Sequence, residues 1–333
     1  MRRLLSILLV TFALSGCELI HGWPGEDSVD PSLIMTELKI DIQMDMEVSE
    51  VITRSILSAT DTSAYDRRFI VEISRDESYD QSLVERDTIT VPSQDFGTVS
   101  LRTELHALKY KVAVWSDYVE KGSRDDLFYL TEDLEHVRIL GKDLYTGSNM
   151  FKDCQRGCEG LDLTGYAVER SPEVELRMQL ERPVARIVFR TMDFDRFVTE
   201  SGLENTRQEI ADRLIVRFTY PTYVPSSINA LTGKLNDSYT DYGFESGALY
   251  DPQSDDLKMG YDYVFVNGEK SSVTVSLQIY DKVTGKQVND TGHITVPTER
   301  GKETVVKDRF LTRDGTPGIG IDPGFDGEYN IYY

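Results

Sequence analysis

From Leu38 to Val48 the chain alternates without a break. Leu38, Ile40, Ile42, Met44, Met46 and Val48 fall on one side, and Lys39, Asp41, Gln43, Asp45 and Glu47 on the other. A β-strand sends successive side chains to opposite faces, so this period of two marks a strand with one buried and one wet face. A helix would spread the same apolar residues around its circumference. The segment therefore has to lie on a sheet whose covered face awaits six apolar side chains.

Comparable runs recur at short intervals. Arg68–Ile73, Asp87–Val91, Thr98–Leu101, Lys109–Trp115, Glu173–Leu180 and Ala185–Arg190 come first. Leu214–Tyr220, Tyr261–Val266, Ser272–Tyr280, His293–Val296 and Thr304–Leu311 follow. Short strands divided by Gly, Asp, Ser and Pro predict an all-β chain built as β-sandwiches. Val283-Thr-Gly-Lys286 reads as a hairpin turn. Residues 120–165 are irregular and read as an excursion between sheets. Asp193–Arg213 carries Phe197, Leu203 and Ile210 at partial helical spacing, predicting a short helix.

The first seventeen residues say where such a chain works. Arg2 and Arg3 precede an apolar stretch, Leu4 to Leu14, and Leu14-Ser15-Gly16-Cys17 closes it. A basic head, an apolar core of roughly 7–15 residues and small residues before the cut define a secretory leader. The stretch is well short of the ~20 residues that span a bilayer. Its end resembles the lipobox of bacterial lipoproteins, which implies cleavage before Cys17 and acylation of that cysteine. Residues 1–16 are read as leader and 17–36, with Gly22, Pro24, Gly25 and Pro31, as tether. The remainder exceeds one typical core and is divided into 37–190 and 191–333.

Charge excludes one class of partner. Asp and Glu number 57 against 36 Lys and Arg, and losing Arg2 and Arg3 with the leader takes the net charge from −21 to −23. A field of that sign repels nucleic acid and anionic lipid alike, so contact with the membrane falls to the lipid on Cys17.

Signs of catalysis are missing from the sequence. His21, His106, His136 and His293 are scattered, and neither a nucleophile elbow nor a phosphate-binding glycine loop follows a strand. Asp322-Pro-Gly-Phe-Asp-Gly-Glu328 gathers three carboxylates but departs from calcium-loop spacing. The chain is read as a non-enzyme with no cofactor and no metal. Export permits a disulfide between Cys154 and Cys158, with free thiols as the alternative.

Several stretches taken in order resemble a known family. They are Arg68–Ile73, Tyr110–Val119, Asp126–Tyr129, Tyr145–Gly147, Glu181–Arg186, and Phe218–Pro225 followed by Asn229. With the lipobox, this set is similar to the fimbrillin-like surface lipoproteins of Bacteroidales, over residues 38–330. The resemblance implies two transthyretin-like β-sandwich domains in tandem and a place in surface fimbriae as stalk, tip or anchor. In polymerising members a protease cuts after an arginine, the first strand leaves, and a neighbour's strand fills the groove. Arg54 is the candidate cleavage site here, with Arg67 and Arg68 as alternatives. Implied partners are other fimbrial subunits or a second copy of the chain, and a surface ligand on host or bacterium. Two other readings stand beside this one. The first is a non-polymerising lipoprotein that binds glycan or protein on a platform of Tyr239, Tyr242 and Tyr250. The second is a surface glycan hydrolase, which needs paired carboxylates across a cleft.

Overall fold

The computed structural model describes residues 34–45, 62–94, 97–166, 173–202, 204–252, 256–312, 320–322 and 328–332. The chain is mostly β: among the described residues 57% lie in strands, with two short α-helices. The first nine strands are β1 (Met35–Gln43), β2 (Tyr65–Arg75), β3 (Leu83–Pro92), β4 (Val99–His106), β5 (Lys109–Glu120), β6 (Tyr129–Leu130), β7 (Val137–Ile139), β8 (Gln155–Asp162) and β9 (Val174–Gln179). Next come β10 (Val184–Thr191), helices α1 (Phe194–Ser201) and α2 (Arg207–Asp212), β11 (Leu214–Tyr220), β12 (Val224–Ile228), β13 (Leu235–Tyr239), β14 (Tyr242–Gly247) and β15 (Leu249–Asp251). The remainder are β16 (Asp256–Phe265), β17 (Lys270–Asp281), β18 (Gln287–Asp290), β19 (Ile294–Glu299), β20 (Glu303–Asp308), β21 (Gly320–Asp322) and β22 (Glu328–Tyr332).

Two sheets face each other in the first part of the chain. One has the order β4-β1-β9 and the other β3-β2-β5-β8. Between them lies a separate apolar cluster. Leu38, Ile40, Ile42 and Met44 meet Phe69, Val71 and Ile73 of β2 and Tyr110, Val112 and Val114 of β5.

β5 also shows why the sheet it shares with β2 is buried on both faces. Val112 and Val114 enter this cluster, while Ala113 and Trp115 point the other way into a second, larger one. The irregular stretch 120–154 lies against that second face. Its Phe128, Tyr129, Leu134, Val137, Ile139, Tyr145, Phe151 and Cys154 are all buried there. The excursion is thus a packed layer rather than a surface loop. Trp115 meets Tyr129 edge-on at 5.5 Å and Phe265 of β16 at 6.5 Å, which joins the early sheet to the late ones.

The later strands form a six-stranded sheet, β15-β16-β10-β20-β22-β21, and a second sheet, β14-β11-β17-β18, with β19 on β17. Both feed the larger cluster. The 190/191 division falls inside β10, whose partners β16 and β20 both belong to the later half. An antiparallel sheet, β13-β12-β7-β6, also carries pairing across that point. The β10–β16 ladder slips between Phe189 and Arg190 of β10, and Gly260 of β16 sits at the slip with φ +151°. A Cβ there would lie 2.6 Å from the Phe218 ring, so only glycine fits.

The predicted helix becomes two. α1 ends at Gly202 in the left-handed conformation. A capping box of Thr206 and Glu209 opens α2. Among the described residues no helix is long and apolar enough to cross a membrane.

The candidate strand-exchange groove

β1 is the middle strand of its sheet. It pairs antiparallel with β4, from Met35 opposite His106 to Ile42 opposite Val99. On its other side it runs parallel to β9, from Leu38 opposite Val174 to Gln43 opposite Gln179. The expected strand 38–48 is observed over Met35–Gln43, and Met46 and Val48 lie outside the described residues. Parallel neighbours cannot be joined by a tight turn. The strand is therefore inserted between two others rather than folded onto them as part of a hairpin.

Its two faces do different work. Leu38, Ile40 and Ile42 are at most 1% exposed and Met44 is 6% exposed. On the other face Lys39 bridges Asp41 at 2.6 Å and Glu175 of β9 at 3.1 Å, and the Ser100 hydroxyl of β4 donates to Asp41. These hydrogen bonds, from Lys39 first and then Ser100, hold the Asp41 carboxyl down at about 2. At roughly 1.5–3 kcal/mol for each large apolar side chain, the four buried residues contribute on the order of 6–12 kcal/mol, an upper figure. That compares with a domain's whole margin of ~5–15 kcal/mol. A chain that lost β1 would need a substitute.

Beyond Gln43 the backbone is held by side chains. The Asp45 N–H donates to Gln155 Oε1 at 3.0 Å, and Gln155 Nε2 donates to the Asp45 carbonyl at 3.1 Å. Arg182 Nη1 donates to the same carbonyl at 3.0 Å and to Asp45 Oδ2 at 3.2 Å. Arg182 is itself held by Asp153, with Nε donating to Oδ1 at 3.0 Å. Gln155, Arg182 and Asp153 are all buried. Arg182 lies inside one of the stretches that carry the family resemblance, but its partners are 29 and 137 positions away. No local spacing reveals such a contact.

The expected site residues fare differently. Cys17 and Arg54 lie outside the described residues. Arg67 and Arg68 are unsuited to proteolysis in the folded chain, because they sit within β2 at 1% and 3% exposure. Arg68 grips Asp117 with two hydrogen bonds, and Arg67 donates to Ser116 Oγ and lies over the Tyr118 ring. Cys154 and Cys158 are free thiols in the structure, the alternative the sequence left open. Cys158 lies in the β8 ladder opposite Ala113, and Gln155 opens that strand. Four residues of extended chain span ~13 Å, about twice the Cα separation a disulfide tolerates. Burial pushes both thiols up, Cys154 the further.

The tyrosine platform does not assemble. Tyr242 is buried, stacks on Tyr239 at 4.8 Å and donates to the Leu140 carbonyl. Tyr250 packs instead on Phe194 of α1 at 5.6 Å. An open cavity of about 360 Å3 is lined by Asp126, Glu132, Asp133, His136, Arg138 and Asp237, with Leu130. Two of its acids have local duties: Asp126 pairs with Arg68 and accepts from Thr131, and Asp133 accepts from the Glu135 N–H. Among the described residues no group of three or more His, Cys, Asp or Glu side chains converges as a metal site. For the carboxylates at 322–328, only the backbone placement of Asp322 and Glu328 in β21 and β22 is described.

Residues 31–332 match a protein family described as a family of unknown function, DUF6562. The chain belongs to this family. No curated protein matches it. Among solved structures, it is distantly similar to a candidate polysaccharide-binding protein of the DUF1812 group from Bacteroides thetaiotaomicron. That match has 10% identity and a TM-score of 0.44, and it covers 77% of this chain and 79% of the other. A candidate adhesin from Bacteroides ovatus matches at 14% identity and a TM-score of 0.41, covering 79% and 78%. The fimbrial anchor protein Mfa2 from Porphyromonas gingivalis matches at 10% identity and a TM-score of 0.41, covering 78% and 82%.

Proposed function

We propose that this DUF6562 chain is a lipid-tethered cell-surface protein, a fimbrial subunit or anchor that supports adhesion and engages its neighbours by β-strand exchange. It acts by binding, not by catalysis. The observation that carries the reading is the position of β1: inserted between β4 and β9, it completes an apolar cluster of its own. Strand exchange needs this arrangement, because a replacement strand gains main-chain hydrogen bonds on both sides and pockets for alternate side chains. The lipobox at Leu14–Cys17 supports outer-surface anchoring through Cys17, and Arg54 lies between β1 and β2, where a cut would detach lipid, tether and strand together. Other fimbrial subunits, or a second copy, are the partners this chemistry fits. The two-sandwich division, read from the sequence as 37–190 and 191–333, stays part of the proposal, with β10 pairing among the later strands.

Mass spectrometry of the protein taken from its native membrane tests the reading. An acylated N-terminus at Cys17 marks an anchor that keeps β1, and an N-terminus just after Arg54 marks a processed subunit. A chain with neither, present in the soluble fraction and unchanged by Cys17→Ser, would contradict the proposal.

A further inference from the structure

The groove is more selective than an apolar slot, and its selectivity sits where the ladder ends. Backbone pairing on the β9 side closes with the Leu180 N–H on the Gln43 carbonyl at 2.8 Å. One step further, the Gln155 side-chain amide takes over the role of a strand, donating to and accepting from the Asp45 backbone. This pair reads main chain alone, so any residue satisfies it. Arg182 adds a demand on the side chain. It is 5% exposed, and it meets Asp45 Oδ2 as well as the carbonyl. A strand with a neutral or basic residue there would give it no carboxylate.

We infer that Gln155 and Arg182 form a register lock selecting the donor strand. The occupant is an extended segment of another subunit with apolar residues at the positions of Leu38, Ile40, Ile42 and Met44 and an Asp or Glu at the position of Asp45. The inference rests on the strand-exchange reading. The lock matters because a slip of one residue turns every side chain to the wrong face, and the apolar pockets alone tolerate a slip of two. In β1 a slip that brings Gln43 to Arg182 fails this demand, and one that brings Glu47 there keeps an acid but moves Met46 into the pocket of Met44.

The rule discriminates against the chain's own tail. Setting Phe325, Gly327, Tyr329 and Ile331 in the four pockets brings Tyr332, not an acid, to Arg182, and the register that brings Glu328 there puts Pro323 and Gly327 in two of the pockets. The same tail already pairs within its own chain, β22 running parallel to β20 from Glu303 opposite Glu328. A partner subunit with the stated pattern is therefore the fitting donor, and a second copy's tail is not.

The test uses the full chain nicked within residues 46–61 and incubated with fluorescent peptides. The probes are residues 34–50, the same peptide with Asp45→Asn or Asp45→Lys, and residues 319–333. The expected result is incorporation of the first at the expense of the resident strand. The Asn peptide should be about ten-fold weaker, as befits loss of a charge-assisted hydrogen bond, and the Lys and tail peptides weaker still. Equal incorporation of all four would overturn the register lock and leave strand exchange standing. Failure of every peptide, residues 34–50 included, would overturn strand exchange and the lock with it.

Discussion

The two apolar clusters differ in how they are closed. The larger one is tied across the whole molecule by a buried polar knot. Asp262 of β16 accepts from Lys152 and Tyr145 of the excursion, and at 2.7 Å from Tyr220 of β11. Burial pulls the Lys152 ammonium down in pKa while Asp262 holds it up. Among the described residues the smaller cluster has no such knot through its centre. It is closed by β1, a strand separated from β2 by residues 44–64 and gripped at its end by Gln155 and Arg182. On the strand-exchange proposal, one part of the molecule stays shut and the other is the part a change of strand would open.

The largest expected effect comes from breaking the knot. Lys152→Met leaves Asp262 buried without its cation and should cost about 3–5 kcal/mol in chemical denaturation, felt throughout the chain. Adding Asp262→Asn should recover much of that loss, since a neutral amide needs no cation and its oxygen still accepts from Tyr145 and Tyr220. If Lys152→Met alone were neutral, the knot would not hold the larger cluster together.

Next in size is Ile40→Ala, in the middle of β1. Deleting a buried isoleucine should cost about 2–5 kcal/mol. The loss should appear first as faster proteolysis among β1, β4 and β9, with β10, β16 and β17 protected. Equal sensitivity in both sets would merge the two clusters into one cooperative unit.

The smallest effect concerns the outer face of β1. Asp41 titrates at about 2 against an ordinary 3.8. Its ionised form is favoured in the folded chain, so its contribution is present above pH ~4 and disappears as the pH falls toward ~2. Asp41→Asn should flatten the acid dependence of β1 protection in that window while leaving behaviour at neutral pH almost unchanged. An unaltered acid profile would show that Lys39 and Ser100 do not hold the carboxylate.

Much of this contrast was legible in the residues, and the limits are physical. Strict alternation located β1, and the runs at 68–73, 109–115 and 214–220 fell within or on observed strands. Alternation reports which side chains share a face, but not which strand lies alongside. The parallel pairing of β1 with β9 joins Leu38 to Val174 across the chain and leaves no local trace. The excursion between sheets read over 120–165 was placed without its packing, because its apolar residues follow no period; those of 128–154 are buried in the larger cluster. Arg67 and Arg68 looked accessible for a related reason. Charge suggests exposure until partners such as Asp117, 49 positions on, come into view. Gln155 carried no signal, and Arg182, though within the Glu181–Arg186 stretch, carried none of its contact with Asp45, whose partners lie far off in sequence.

Hydrogen exchange on the intact chain and on the chain nicked within 46–61 tests the central claim most directly. In mild denaturant, nicking should let the amides of β1, β4 and β9 exchange together, while those of β10, β16 and β17 keep their protection. If the β1 amides instead exchange only when the whole chain unfolds, nicked or not, β1 is a fixed part of the core and strand exchange is excluded.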